Sequence, residues 1–157
     1  MKVLGLDISS VASGWAVKGD GGLEGWGSWV PQKGAQLHEK VGWVAEQFTI
    51  LVKATQPDLI VIEDTYFSKN PETLKKLCYF IGGILGRGNG VEPILVKASK
   101  ARKAFGVKGK GKGQGRADRK WIKEEVKKTI KWKLGIDVED DNIADAIILS
   151  YYRGDKC

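Results

Sequence analysis

The sequence predicts an α/β fold in which an antiparallel three-strand meander gives way to alternating strands and helices. Three observations predict it. Short apolar runs, VLGL, LIVIE and PILV, have the length and β-branched content of buried strands. A GDGG turn at 19–22 separates two runs of strand length. From residue 37 the apolar residues recur at threes and fours, the spacing of one helix face. A chain of 157 residues is long enough for one sizeable core, so a single domain over 1–157 is expected.

Each element has its own signal. Residues 2–8 read as a buried strand, 12–18 as a second strand after the Ser9-Ser10 link, and the Trp-rich 23–30 as a third. Leu37, Val41, Val44, Phe48 and Leu51 then mark a long helix that Pro57 closes. Residues 58–63, DLIVIE, form a continuous apolar run of the kind covered on both faces. Pro71 suits the first turn of a helix whose apolar positions are Leu74, Leu77, Cys78, Ile81, Ile84 and Leu85, and GRGNG at 86–90 ends it. Residues 92–97 are the fifth strand, followed by a short basic helix or turn through Lys103. Five glycines in the eleven residues 106–116 leave no apolar period and read as a mobile loop. Residues 117–134 form a helix with Ile122, Val126 and Ile130 on one face and Lys123, Lys127 and Lys131 on another. Asp140 or Asp141 caps a last, nearly all-apolar helix expected to lie on the sheet. Trp15, Trp26, Trp29 and Trp43 are expected to pack in the meander and first helix; core packing is the favoured expectation for Trp121 and Trp132, with contact to a partner subunit or DNA the alternative.

Charge is concentrated. Residues 97–133 hold 15 Lys and Arg against three acids, whereas the rest of the chain has 11 basic residues against 16 acidic ones. A mildly acidic body with one strongly basic element is the footprint of a protein that holds a polyanion, nucleic acid first among them, although a solvated Lys-rich helix would give the same count. No run of eighteen apolar residues and no signal-peptide order occurs, so a cytoplasmic protein with no membrane partner is expected. Cys78 and Cys157 have no metal-ligand spacing and read as free thiols. Residues 106–112 fit the first part of a phosphate-binding loop, but Gly113 stands where Ser or Thr is required and no apolar strand precedes it; no nucleotide cofactor is expected.

The acids are the informative residues. Asp7 lies within an apolar strand, where an unpaired carboxylate is costly. Glu63 ends another such strand, at the end where open α/β sheets place binding groups. Asp141 and Asp145 are four apart on a helix and project from one face, and Asp145 sits inside IADAIIL. Each has a bland reading, as a hydrogen-bonded strand residue, a loop start or a cap. One arrangement accommodates them all: the carboxylates converge on divalent cations, and oxygen donors without His or Cys suit Mg²⁺ or Mn²⁺. Two such ions can activate a water and stabilise the leaving oxygen at a phosphodiester.

GLDISSVASGWAV, LIVIED and DDNIADAIIL stand in the order and spacing of the RuvC-like Holliday junction resolvases of the RNase H-like superfamily, and VKASKARKAFGVKG resembles that family's basic stretch before its last two helices. The resemblance spans nearly the whole chain. It implies an RNase H-like five-stranded mixed sheet flanked by helices, a homodimer, two Mg²⁺ ions per active site with Mn²⁺ as a substitute, and paired symmetric nicks across a four-way DNA junction. By motif match Asp7, Glu63 and Asp145 take three of four acidic positions. The fourth is three residues before the last Asp in bacterial members, which is Asn142 here, and four before it in some relatives, which is Asp141. Asp141 is favoured as the charged ligand, with Asn142 the alternative as a neutral ligand or cap residue. The resemblance further implies that Tyr66 or Phe67 stacks at the opened junction centre and that Lys103, Arg119 and Lys120 approach the scissile phosphate. Lys108, Lys110, Lys112 and Arg116 of the glycine-rich loop would follow the duplex arms. Two rivals stay open: an RNase H-like nuclease acting on RNA–DNA hybrid or RNA, and a non-catalytic junction-binding module.

Overall fold

A computed structural model describes residues 1–64, 70–109 and 117–154. The strands are β1 (Val3–Asp7), β2 (Ser13–Gly19), β3 (Gly22–Trp29), β4 (Leu59–Glu63) and β5 (Ile94–Val96); the helices are α1 (Leu37–Thr55), α2 (Pro71–Ile84), α3 (Ala98–Phe105), α4 (Ala117–Leu134) and α5 (Asp141–Ser150). They form one sheet in the order β3-β2-β1-β4-β5. The meander β1-β2-β3 is antiparallel, whereas β4 and β5 add parallel to β1. This is the mixed five-stranded sheet that the sequence implies.

The two-residue period of the strands divides the core. Leu4, Leu6, Val17, Ile60 and Ile62 face one side, where they pack with Val44, Phe48 and Val52 of α1 and Phe80 and Ile84 of α2. Val3, Ala16 and Val61 face the other, with Ala101 and Phe105 of α3, Val126 and Ile130 of α4, and the apolar body of α5. Strands covered on both faces need continuous apolar sequence, which is why β1 and β4 show no polar alternation. The helix ends follow local chemistry. The main-chain N–H of Gln36 donates to Glu39 at the start of α1, 2.7 Å away. Asn70 caps α2 by accepting from Glu72 and Thr73, with Pro71 in the first turn. Asp140, rather than Asp141, caps α5, accepting from the N–H groups of Asn142 at 2.7 Å and Ile143 at 3.1 Å.

The central helix lies unusually close to the sheet. A Cβ added at Gly5 would come 2.3 Å from the Ala146 carbonyl oxygen, and one at Gly14 would come 2.1 Å from that of Asn142. Only glycine permits these approaches, and they set α5 directly over β1 and β2.

Three expectations are corrected. In α2 the core stripe is Phe80, Ile81 and Ile84, with Leu74 and Leu77 half-buried, while Cys78 and Leu85 point to solvent beside Tyr79. The 77–80–81–84 spacing lies on one face, about 100° per residue away from the neighbours that also looked apolar. Trp132 is 82% exposed, because Val126 and Ile130 already define the inward stripe of α4. Trp29 is buried and Trp15 half-buried as expected, but Trp26 and Trp43 are exposed on the outward faces of β3 and α1.

Candidate metal centre

The acidic site follows from register. Val3, Gly5 and Asp7 share the α5 face of β1, and Val61 and Glu63 share the same face of β4. Because β1 and β4 run parallel with Leu6 opposite Ile62, Asp7 and Glu63 end their strands side by side. α5 crosses above them and lowers Asp145 into the same space. Each of Asp7, Glu63 and Asp145 offers a carboxylate oxygen, and these oxygens lie within 4.8 Å of one another. Three residues from three distant parts of the chain thus converge at the carboxyl ends of adjacent strands.

The electrostatics show what such proximity costs. Burial pushes the Asp7 carboxyl up to about 8, with the charges of Glu63 and Asp145 adding to the rise and Arg102 and Lys123 opposing it. Glu63 is pushed up to about 7 by burial and by Asp145, again against Arg102. Asp145 is raised as well, by burial, although Arg102 works against the rise through charge and hydrogen bonds. Three mutually repelling, partly desolvated carboxylates, with no His or Cys grouped with them among the described residues, form a donor set for a hard divalent cation, and such an ion would relieve both burial and repulsion.

Arg102 of α3 is part of this site; it lies within the basic stretch VKASKARKAFGVKG, but nothing in that stretch singles it out from its lysine neighbours. Its guanidinium grips Asp145 by three hydrogen bonds: Nη2 to Oδ1 and Oδ2, each 2.9 Å, and Nε to Oδ1 at 3.1 Å. Both side chains are largely buried. Only the placement of Ala101 and Phe105, four apart in the core, signals that Arg102 flanks the inward face of α3.

Asp141 stands apart from the three converging acids. Its carboxylate is held by Lys123 at 2.6 Å and Lys127 at 2.7 Å. Burial raises its pKa, but the hydrogen bonds and charges of these two lysines outweigh burial and hold it below the usual carboxylate range. Lys127 also donates to the carbonyl of Glu139, and Lys131 pairs with Asp137. The lysine face of α4 is therefore partly committed to the segment leading into α5. Asn142 occupies the start of α5, its main chain packed against Gly14.

Of the expected DNA-binding residues, Lys103 at the end of α3, Lys108 just beyond it, and Arg119 and Lys120 in the first turns of α4 are all exposed. Lys123, one turn further along α4, reaches Asp141, so the start of α4 lies beside the acidic end of α5. Tyr66, Phe67, Lys110, Lys112 and Arg116 lie outside the described residues.

Comparison with known proteins agrees with this construction. The protein from Dictyoglomus turgidum named crossover junction endodeoxyribonuclease RuvC is 28% identical over the full length of both chains. Its namesake from Sulfurovum sp. is 29% identical over 75% of this chain and 70% of its own. Among solved structures, Thermus thermophilus RuvC in complex with a Holliday junction substrate shares the fold with a TM-score of 0.78 at 18% identity, over 96% of this chain and 90% of that one. The yeast mitochondrial Holliday junction resolvase is more distant, with a TM-score of 0.53 at 15% identity over 94% of this chain and 75% of its own. The model of one family, crossover junction endodeoxyribonuclease RuvC, matches residues 3–151, a span that contains every acid of the site. The chain belongs to the RuvC family of crossover junction endodeoxyribonucleases.

Proposed function

We propose that the protein is a metal-dependent, structure-selective endonuclease that resolves four-way DNA junctions by paired symmetric nicks, and that it acts as a homodimer of single nuclease domains in the cytoplasm of a bacterial or phage-infected cell. The observation that carries this reading is the convergence of Asp7, Glu63 and Asp145 within 4.8 Å at the edge of a strongly basic element, in a chain of the RuvC family.

In this reading Asp7, Glu63 and Asp145 hold the divalent ions, Mg²⁺ with Mn²⁺ as a substitute. Bound ions, two per site, would supply an activated water and neutralise the leaving oxygen of an in-line attack on the phosphodiester. Asp7 feels the charges of both Glu63 and Asp145, and a cation held by the three acids would relieve that repulsion. Asp141 would be the fourth ligand if its carboxylate were released from Lys123 and Lys127, with Asn142 the neutral alternative. Lys103, Lys108, Arg119 and Lys120, with Lys110, Lys112 and Arg116, neutralise backbone phosphates, and Tyr66 or Phe67 stacks on a base where the junction opens.

The test is cleavage of labelled synthetic junctions with and without Mg²⁺, mapped to the nucleotide. The expected result is two symmetric nicks near the branch point that need Mg²⁺ and leave linear duplex intact. Cleavage of RNA–DNA hybrid in preference to junctions would assign the site to the hybrid-cutting rival. Tight junction binding with no cleavage in either ion would assign it to a binding module.

A further inference from the structure

We infer that Arg102 is an internal counter-ion that competes with divalent metal for Asp145, so that loading the site is an exchange of guanidinium for ion. This rests on the reading of Asp7, Glu63 and Asp145 as metal ligands. Three observations lead to it. First, Arg102 takes three of the roughly four acceptor positions that a carboxylate offers, two on Oδ1 and one on Oδ2. A metal ion needs those same lone pairs. Second, the pair is largely withdrawn from water, with Arg102 21% and Asp145 13% exposed, so neither partner is hydrated cheaply when the other leaves. Third, the backbone that carries Arg102 is fixed close to the site. Ala101 and Phe105 are buried, Phe105 meets the Tyr151 ring edge-on at 5.3 Å, and Lys133 lies over the Phe105 ring and donates to its carbonyl. The guanidinium can swing on its flexible side chain while α3 stays in place.

The arrangement has two consequences. Without an ion, Arg102 supplies a positive charge in direct contact with Asp145 and keeps the site assembled against the repulsion of its acids. With an ion, the broken pair subtracts from binding, so the protein takes up free divalent cation more weakly than three converging carboxylates would on their own. Arg102 is thus a positioning residue, and the site's metal affinity is set by a side chain that is not a ligand.

The test is calorimetric titration of the full-length protein with Mn²⁺ alone, in alkaline buffer where protons compete least for the carboxylates. Wild type, Arg102→Gln, Arg102→Lys and Asp145→Asn are compared, with thermal unfolding recorded before Mn²⁺ is added. The expected result is that R102Q binds Mn²⁺ at least about tenfold more tightly than wild type and unfolds at a lower temperature without the ion. R102K should fall between them, since one ammonium cannot reproduce the forked contact. If R102Q does not fold, R102K alone carries the comparison. Equal or weaker Mn²⁺ binding in the folded Arg102 variants overturns the inference. D145N separates the two claims: if it binds Mn²⁺ as wild type does, the metal reading itself has failed, whereas loss of binding in D145N with no gain in the Arg102 variants removes only the exchange.

Discussion

Replacing Asp7 with Asn removes one charge from the cluster while keeping its shape, and the structure gives the size of the effect. Burial and the charges of Glu63 and Asp145 lift the Asp7 carboxyl from its ordinary 3.8 to about 8 in the folded protein. At about 1.4 kcal/mol per pH unit, that difference sets a ceiling of about 6 kcal/mol on what an ionised Asp7 costs the fold above pH 8. Rearrangement of Arg102 and entry of water into the cluster return part of it, leaving about 2–3 kcal/mol to be observed. D7N should therefore stabilise the protein in the presence of a chelator, and the gain should grow as pH rises from about 4 to about 8, because over that range the unfolded wild-type chain is ionised at Asp7 while folding must take up a proton there. The assay is urea unfolding in EDTA at several pH values. The same variant should show no stabilisation by Mg²⁺ and no junction cleavage, with junction binding retained or tightened because phosphate repulsion falls. A D7N protein less stable than wild type across the whole pH range would refute the reasoning, since Asp7 would then be a structural hydrogen-bonding residue.

Wild type should lose stability with rising pH when no ion is present. Asp7 and Glu63 hold protons more tightly in the folded chain than in the unfolded one, so the stabilisation is complete below about pH 4 and is lost through about 7 to 8, and Mg²⁺ should abolish that loss; equilibrium unfolding against pH, with and without Mg²⁺, reads both limbs. Gly5→Ala places a Cβ 2.3 Å from two backbone atoms of α5 and should cost at least about 3 kcal/mol in thermal unfolding, displacing Asp145 from Asp7 as it does so. Neutralising Lys103, Arg119 and Lys120 together should weaken junction binding without changing its branch-point preference, and should lower the slope of log K against log[salt] by about 0.9 for each phosphate that is no longer neutralised; an unchanged slope would place these residues off the DNA path.

The fold was legible because its signals were local and agreed with one another. Apolar runs too short for helices became doubly covered strands, whereas the role of Gly5 and Gly14 in admitting α5 to the sheet depends on a long-range packing that no local signal carries. The convergence of Asp7, Glu63 and Asp145 was legible for a different reason: each acid sat where burial disfavours it, and one explanation served for all. Arg102 was missed because it lies among Lys97, Lys100 and Lys103, and composition does not distinguish the basic residue that turns inward from those that face water. Lys123 and Lys127 were counted on the basic face of α4 as if available to a polyanion, yet both pair with Asp141, a link between α4 and α5 that helical periodicity alone does not carry. The outward faces of α2 and α4 were misjudged at apolar residues off the true stripe: Leu85 lies about a quarter-turn from it and Trp132 more than about a third of a turn.

The central claim is that three acids remote in sequence chelate hard divalent cations. Diffraction from crystals soaked in Mn²⁺, recorded at a wavelength where manganese scatters anomalously, tests it most directly. The account predicts anomalous peaks about 2.0–2.3 Å from oxygens of Asp7, Glu63 and Asp145, with the Arg102 guanidinium withdrawn from Asp145. Cleavage-competent crystals that show manganese bound elsewhere, with the Arg102–Asp145 pair intact and no density among the three carboxylates, would contradict it.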